Sequence, residues 1–185
     1  MRTEETNMRI GEPVVSVCVI TYNQERFIGR CLQSIADQKT DFPFEVIIGV
    51  DPSADGTAEI VKSFVNRYPK HFRAIFHDEC IAIGCNNYRV THSAATAKFV
   101  AHIDGDDVML PGKLQAQAEF LEKNQDCSMV AHKLKIIDVD DQTIAGSPSV
   151  SHPEKTDLSY LLKNHTFFRI AAKCIAECRF QSVVA

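Results

Sequence analysis

The chain has no apolar run near the ~20 residues that a transmembrane helix requires, so the sequence predicts no membrane-spanning helix. Its first twelve residues are polar and include Glu4 and Glu5, which is not the pattern of a secretory signal peptide. Internal repeats and low-complexity segments are also missing. These absences predict an ordinary globular domain rather than a membrane-spanning or repeat protein.

A C-x-x-C pair of cysteines is absent as well. The seven cysteines are an odd number, are widely spaced over the chain and include no such pair, which is typical of a reduced cytoplasmic protein. His71, His77, Cys80 and Cys85 lie near one another in the sequence, but their spacing matches no common zinc site. We therefore interpret several cysteines as small core residues and expect a cytoplasmic location.

An excess of positive charge is the third absence. Twenty Lys and Arg residues stand against 24 Asp and Glu residues, which gives a formal charge of −4. That balance argues against a broad basic surface, so we expect no nucleic-acid partner. The length of 185 residues predicts one folding unit.

What the sequence does contain is an alternation of strand-like and helix-like segments. Short, β-branched apolar runs are typical of strands buried on both faces of a parallel sheet. The predicted strands cover 14–20, 44–50, 72–76, 98–103 and 128–137. Helical spacing of apolar residues fills most of the gaps, and Pro111 suits the first turn of the fourth helix. Repeated β-α-β order predicts an α/β fold, a mostly parallel sheet with helices on both faces.

Three polar segments follow three of these strands, at 21–25, 51–56 and 104–107. Ligands of open parallel sheets bind beyond the carboxyl ends of the strands, so we expect these segments to form a binding site together. Within the second segment, Asp55 is predicted to cap the helix that follows.

Asp104, Asp106 and Asp107 form an acidic cluster, and Gly105 between them allows a sharp turn. Crowded carboxylates repel one another unless a cation joins them or one takes a proton. Mg²⁺ or Mn²⁺ prefers oxygen ligands and could neutralise a diphosphate leaving group here. The alternative is a solvated turn with a helix-capping Asp, and the preceding buried strand favours the metal site.

Asp138, Asp140 and Asp141 form a second acidic run. It resembles part of a calcium loop but lacks the glycine at the sixth place and the closing Glu. We interpret the segment from 138 to 146 as an exposed hairpin turn.

Together these segments resemble the family 2 glycosyltransferases, which have the Rossmann-like GT-A fold. Residues 21–25 match the family's T-Y-N-x-E segment, and 51–57 match its acidic turn ending in D-G-T. Residues 84–87 match G-x-x-N, and 104–106 match D-x-D. The four matches keep the family's order and spacing between about residues 14 and 126.

The resemblance implies a nucleotide-sugar donor, with a UDP-sugar favoured, and Mn²⁺ or Mg²⁺ as cofactor. It places Asp104 near the ribose, with Asp106 and Asp104 as metal ligands. The remaining residues that it assigns to donor binding are Thr21, Asn23, Glu25, Asp51, Gly84 and Asn87. A plainer interpretation, as turn or helix-start residues, is open for each of Thr21, Asn23, Asp51, Gly84 and Asn87 taken singly.

The resemblance also implies an acceptor hydroxyl on a glycan or lipid-linked molecule, in polysaccharide or glycoconjugate biosynthesis. Any membrane contact would be peripheral, at the inner face, and a homodimer is compatible with the sequence. The sequence departs from the family pattern at two positions. Val50 replaces an aspartate that many members carry before Asp51, and Ala97 replaces a common glycine.

The sequence divides into a polar tail at 1–12, a donor-binding half at 13–126 and an incomplete acceptor half at 127–185. Inverting members need an Asp or Glu as general base, downstream of D-x-D. Asp157 and Glu177 lie in no recognisable base motif, so no catalytic base is assigned.

The tail from about residue 169 is atypical of the family. Codons for 169–176 can be chosen so that a shifted frame encodes a peptide like the family's acceptor segment. A frame-shifted, truncated end and a divergent C-terminal helix are both open interpretations.

Two further functions compete with glycosyl transfer. A donor-binding fragment without useful transferase activity is the first. A nucleotidyltransferase is the second, but its usual loop rich in Gly, Arg and Lys after the first strand is missing from 21–30.

Overall fold

A computed structural model describes seven segments of the chain. They are residues 11–79, 85–132, 135–138, 143–146, 155–156, 174–176 and 183–184. The strands are β1 (Val15–Thr21), β2 (Phe44–Val50), β3 (Phe72–Phe76), β4 (Phe99–Asp104), β5 (Met129–Val130), β6 (Lys135–Ile137), β7 (Thr143–Gly146), β8 (Lys155–Thr156), β9 (Cys174–Ala176) and β10 (Val183–Val184). The helices are α1 (Glu25–Ala36), α2 (Thr57–Arg67), α3 (Cys85–Ser93) and α4 (Lys113–Lys123).

The central sheet has eight strands in the order β3-β2-β1-β4-β9-β5-β10-β8. β1 pairs in parallel with β2 and β4, and β2 pairs in parallel with β3. Thr21 lies opposite Val50 and Ile20 lies opposite Asp104, so the three strands end at nearly the same level. The register therefore brings the three polar segments to one edge, and the mostly parallel sheet is confirmed.

Helices cover both faces of the sheet, as the sequence predicts. On one face, apolar side chains of β1, β2 and β4 share a buried core with α1, α2 and α4. Ile28, Leu32 and Ile35 are fully buried there, at the spacing that places them on one side of α1. On the other face, the Cys18 thiol of β1 donates a hydrogen bond to the carbonyl oxygen of Thr91 in α3, 3.6 Å away.

Gly49 allows α3 to lie close against β2. A Cβ atom at this position would overlap the side-chain oxygens of Asn87 and Thr91. Asn87 also donates a hydrogen bond from Nδ2 to the Gly49 carbonyl oxygen, at 3.0 Å. A side chain at position 49 would therefore separate the helix from the sheet.

Several predicted boundaries are wrong. β4 continues through Asp104, because the residue still pairs with β1 before the chain turns. α4 begins at Lys113 rather than at Pro111, because Gly112 precedes it with a φ of 79° and breaks the helical path. The predicted strand at 128–137 is two strands in two sheets: β5 lies in the central sheet, and β6 pairs with β7.

Residues 143–146 of the predicted turn instead form β7, which pairs antiparallel with β6, and residues 139–142 of the second acidic run lie outside the described residues. The interpretation of the tail as a C-terminal helix is wrong at 174–176, because these residues form β9 between β4 and β5. Gly84, Cys80, Asp140, Asp141, Asp157, Glu177 and the segment 158–168 lie outside the described residues.

Buried positions include Cys18, Cys31 and Cys127, which are free thiols, so their interpretation as core residues is confirmed. Among the described residues, no helix is long and apolar enough to cross a membrane.

Candidate functional site

The site lies at the carboxyl edge of β1, β2 and β4, and Asn23 connects its first two loops. The Ala54 N–H donates to Asn23 Oδ1 at 2.8 Å, and the Asn23 N–H donates to Ser53 Oγ at 3.1 Å. Asn23 has a φ of 49°, a left-handed conformation that asparagine tolerates better than most residues. The predicted donor-binding residue Asn23 therefore fixes the shape of the edge through its own amide oxygen.

Glu25 and Asp55 connect the starts of α1 and α2. The Glu25 N–H donates to Asp55 Oδ2, and the Gly56 N–H donates to Glu25 Oε2, both at 3.0 Å. Negative side chains are favourable at helix amino termini, where backbone N–H groups lack partners. One oxygen of the predicted donor-binding residue Glu25 is thus engaged within the protein.

Asp55 accepts hydrogen bonds at the start of α2, as the sequence predicts, but it lies one residue before the N-cap position. Gly56 occupies the N-cap position, and Asp55 Oδ1 accepts hydrogen bonds from the N–H and the hydroxyl of Thr57, at 3.0 Å and 2.5 Å. The bond from the Thr57 hydroxyl, with the backbone bonds, lowers the pKa of Asp55 below its ordinary value. Asp55 is therefore a structural carboxylate.

Thr21 and Gly105 bring the first loop against the acidic loop. Thr21 is buried, and its hydroxyl donates to Gln24 Oε1 at 2.8 Å. The Gly105 N–H donates to the Ile20 carbonyl oxygen at 2.9 Å. A Cβ at position 105 would lie 2.5 Å from Gln24 Oε1 and 2.9 Å from Thr21 Cβ, so this close approach requires glycine.

Asp51 stands immediately after β2, with only 6% of its surface exposed. Its N–H donates to the Thr21 carbonyl oxygen at 3.0 Å. Within the described segments, its carboxylate makes no hydrogen bond or ion pair. A nearly buried carboxylate without a hydrogen-bond partner among the described residues is a strong acceptor for a ligand's N–H or O–H groups.

The acidic loop gathers three carboxylates in different states. Asp104 Oδ1 lies 3.1 Å from His102 Nε2, and 45% of the Asp104 side chain is exposed. Asp106 is exposed and has no partner among the described residues. Burial, with the charges of Asp106 and Asp104, raises the pKa of Asp107 to about 6, although Lys113 and His102 oppose the shift. The loop thus concentrates negative charge that a cation would neutralise.

The described residues fit a metal ion shared with a bound ligand better than a metal ion held by protein side chains alone. No group of three or more His, Cys, Asp or Glu side chains among them is arranged to hold a metal. Mg²⁺ at phosphate sites usually takes one or two protein carboxylates, with phosphates and water completing its shell. Asp106 and Asp104 suit that kind of site, because they can supply oxygen ligands beside a bound diphosphate.

Asn87 lies behind the edge, at 2% exposure between α3 and β2. Its Oδ1 accepts a hydrogen bond from the Thr91 hydroxyl at 3.0 Å, while its Nδ2 donates to Gly49. The other member of its motif, Gly84, is outside the described residues. Asn87 therefore supports the end of β2 from the back of the sheet.

Sequence reasoning missed the ring cluster behind Asp104, which consists of Tyr88, His92 and His102. Tyr88 stacks on His92 with ring centroids 3.9 Å apart, and His92 Nε2 lies 3.1 Å from His102 Nδ1. A signal was available, because Tyr88 and His92 are one helical turn apart and His102 shares a strand face with Asp104. The sequence of 98–103 by itself predicts only a buried strand.

Comparison with known proteins identifies relatives of the chain. The model of the family described as glycosyl transferase family 2 matches residues 16–180. Uncharacterized protein Rv1520 of Mycobacterium tuberculosis is 33% identical over 149 residues, which are 80% of this chain and 43% of that protein. Uncharacterized glycosyltransferase alr2836 of Nostoc sp. is 33% identical over 130 residues, 70% of this chain and 39% of that protein. The chain thus spans less than half the length of these relatives.

Solved structures give the same fold. S. aureus TarS 1-349 in complex with UDP-GlcNAc has a TM-score of 0.56 and 30% identity, covering 63% of this chain and 33% of that one. Mannosyltransferase PcManGT from Pyrobaculum calidifontis, in complex with GDP-Man and Mn²⁺, has a TM-score of 0.57 and 23% identity, covering 65% and 35%. The chain therefore has the GT-A fold.

Proposed function

The chain belongs to glycosyl transferase family 2, and on that premise we propose that it binds a nucleotide-sugar donor at the carboxyl edge of β1, β2 and β4. The bound sugar would pass to an acceptor hydroxyl in polysaccharide or glycoconjugate biosynthesis. One observation carries the proposal: among the described residues, the partner-free carboxylates of Asp51 and Asp106 follow β2 and β4, the two strands that flank β1, at one edge of the sheet. We favour a UDP-sugar, since the 30% identical TarS was solved with UDP-GlcNAc.

The nucleoside would lie against the first two loops. Asp51 would accept hydrogen bonds from the nucleoside, because its carboxylate is nearly buried and free of described partners. Thr21, Asn23 and Glu25 would line this pocket chiefly by fixing the loops, as their hydrogen bonds indicate. Gly84 and Asn87 would shape the pocket from the side of α3.

The diphosphate would lie beside the acidic loop. Asp106 and Asp104 would hold Mn²⁺ or Mg²⁺, which would neutralise charge on the leaving nucleoside diphosphate. Asp104 would also approach the ribose with the oxygen that His102 does not contact. Asp107 is less suited to be a ligand, because it is less exposed than Asp106.

The acceptor half of the proposal rests on family membership alone. We propose a glycan or lipid-linked acceptor, a cytoplasmic location, peripheral contact with the inner membrane face and a homodimer. The acceptor would bind to residues 127–185, and no general base is assigned there.

Donor binding without useful transfer is the second candidate function. It is favoured by the lack of an assigned base, since loss of a positioned base costs ~10²–10⁴-fold in rate. Incubation with UDP-GlcNAc and other UDP-sugars, with Mn²⁺ and glycan acceptors, distinguishes the two. We expect release of UDP together with glycosylated acceptor, whereas nucleotide binding with only slow donor hydrolysis would support the second candidate.

The matched variants for this assay are Asp106→Asn and Asp41→Asn. Asp106→Asn should lower the release rate by roughly tenfold or more, because a weakened metal no longer stabilises the leaving diphosphate. Asp41 is an exposed carboxylate just before β2, at the opposite edge of the sheet, so its variant should keep the full rate. Equal rates for both variants would contradict the proposed metal site.

A further inference from the structure

A row of polar rings runs through the interior towards Asp104. His102 is 7% exposed, and its two ring nitrogens have different partners. Nε2 lies 3.1 Å from Asp104 Oδ1, and Nδ1 lies 3.1 Å from His92 Nε2. Tyr88 packs on both imidazoles, with centroid distances of 3.9 Å to His92 and 5.0 Å to His102.

Hydrogen-bond chemistry fixes the direction of this row. A neutral imidazole has one N–H and one acceptor nitrogen. If His102 Nε2 lacked a proton, its lone pair would face a carboxylate oxygen at hydrogen-bond distance, which is repulsive. A neutral His102 therefore donates from Nε2 to Asp104 and accepts at Nδ1 from the Nε2–H of His92. The buried His102 ring thus donates its N–H to the Asp104 carboxylate from the interior side.

We infer that His102, supported by His92 and Tyr88, is a positioning residue that fixes the Asp104 carboxylate for the donor nucleotide and its metal ion. This inference rests on the proposed function. The hydrogen bond holds Oδ1 and leaves Oδ2 for the ligand. A flexible half-exposed carboxylate would lose side-chain entropy on binding, whereas Asp104 is already restrained. Outer-shell partners of metal ligands typically change metal affinity 10–100-fold.

Three substitutions of His102 separate positioning from packing. His102→Phe keeps an aromatic ring in the cluster and removes the donor. His102→Gln can place an N–H near the position of Nε2, whereas His102→Asn can place one only near Nδ1. In calorimetric titration of UDP with Mn²⁺, we expect about tenfold weaker binding for Phe and Asn, with Gln restored to within about threefold of the unchanged chain.

A packing role predicts the opposite order. Gln fills the aromatic cluster poorly, so Phe would then bind UDP and Mn²⁺ as well as the unchanged chain, and Gln would bind worse. Thermal unfolding of each variant, measured in the same buffer, shows which substitutions alter the fold. Binding by Phe that equals or exceeds binding by Gln would overturn the inference.

The metal-free chain gives an independent readout. Long-range ¹H–¹⁵N correlation spectra distinguish the two neutral imidazole tautomers, and we expect the Nε2–H form for both His92 and His102. An Nδ1–H form of His102 would overturn the inference and leave the donor site untouched. If the unchanged chain with Mn²⁺ bound none of UDP, GDP and dTDP, the proposed function and this inference would both fail.

Discussion

At the scale of single residues, hydrogen bonding separates structural carboxylates from those available to a ligand. Asp55 and Glu25 accept hydrogen bonds from backbone N–H groups at the helix starts. Asp51 and Asp106 have no such partners among the described residues. All four lie within a few residues after a strand, so their position in the sequence does not distinguish their roles. Their different roles follow from which backbone N–H groups each carboxylate meets.

Gly105→Ala tests the close approach of the first loop to the acidic loop. The added methyl group would lie 2.9 Å from Thr21 Cβ, so the loops must separate. We expect a loss of about 1–3 kcal/mol in the free energy of unfolding, measured by urea denaturation, and weaker UDP binding.

Gly29→Ala is the matched control for that substitution. Its added Cβ would lie 3.6 Å from Ile60 Cγ2, an ordinary contact, and alanine is favoured within a helix by about 0.5–1 kcal/mol. The control should therefore be as stable as the unchanged chain or more so. Destabilisation of both variants to the same extent would contradict the explanation.

At the scale of helices and strands, continuous apolar runs predicted where each strand lies better than they predicted its first and last residues. The bounds of β2 and β3 agree with the predicted 44–50 and 72–76, because both runs end in polar turns. Asp104 was placed after β4, although a carboxylate at a strand end does not prevent backbone pairing. The division between β5 and β6 depends on which sheet each joins, and local sequence does not encode that choice.

Glu45 connects three strand ends and should make stability depend on pH. Its Oε1 accepts hydrogen bonds from the Ser16 hydroxyl at 2.6 Å and the Thr96 hydroxyl at 2.8 Å, and Arg73 lies 3.4 Å from Oε2. Burial raises the pKa of Glu45, but the bonds from Ser16 and Thr96, with the charge of Arg73, outweigh burial and lower the pKa below its ordinary value.

A lowered pKa means that the ionised form contributes stability above the unfolded-state pKa near 4.5, and that this contribution disappears as pH falls through the folded-state pKa. Glu45→Gln should therefore be less stable than the unchanged chain at pH 7, with a difference that shrinks below about pH 4.5. Glu59→Gln removes an exposed carboxylate and should show little difference at any pH. A constant difference for Glu45→Gln in urea unfolding between pH 7 and pH 3 would contradict this explanation.

At the scale of the whole molecule, the site exists only because parallel register aligns three strand ends that are far apart in sequence. The four family motifs were sufficient to predict the GT-A fold, which is confirmed. The ring cluster behind Asp104 was not predictable from those motifs, because it depends on how α3 packs under β1. The family match extends to residue 180, past the start of the atypical tail, and the frame-shift interpretation stays a prediction that the coding DNA tests.

Calorimetric titration of UDP with and without Mn²⁺ decides whether this edge of the sheet holds a metal-assisted nucleotide site. We predict that Mn²⁺ strengthens UDP binding by roughly tenfold or more and that Asp106→Asn abolishes this gain, because the diphosphate and Asp106 share the ion. GDP and dTDP, titrated in the same way, cover the other nucleotides. Absence of binding of UDP, GDP and dTDP, or an unchanged Mn²⁺ effect in Asp106→Asn, would contradict the metal-assisted nucleotide site.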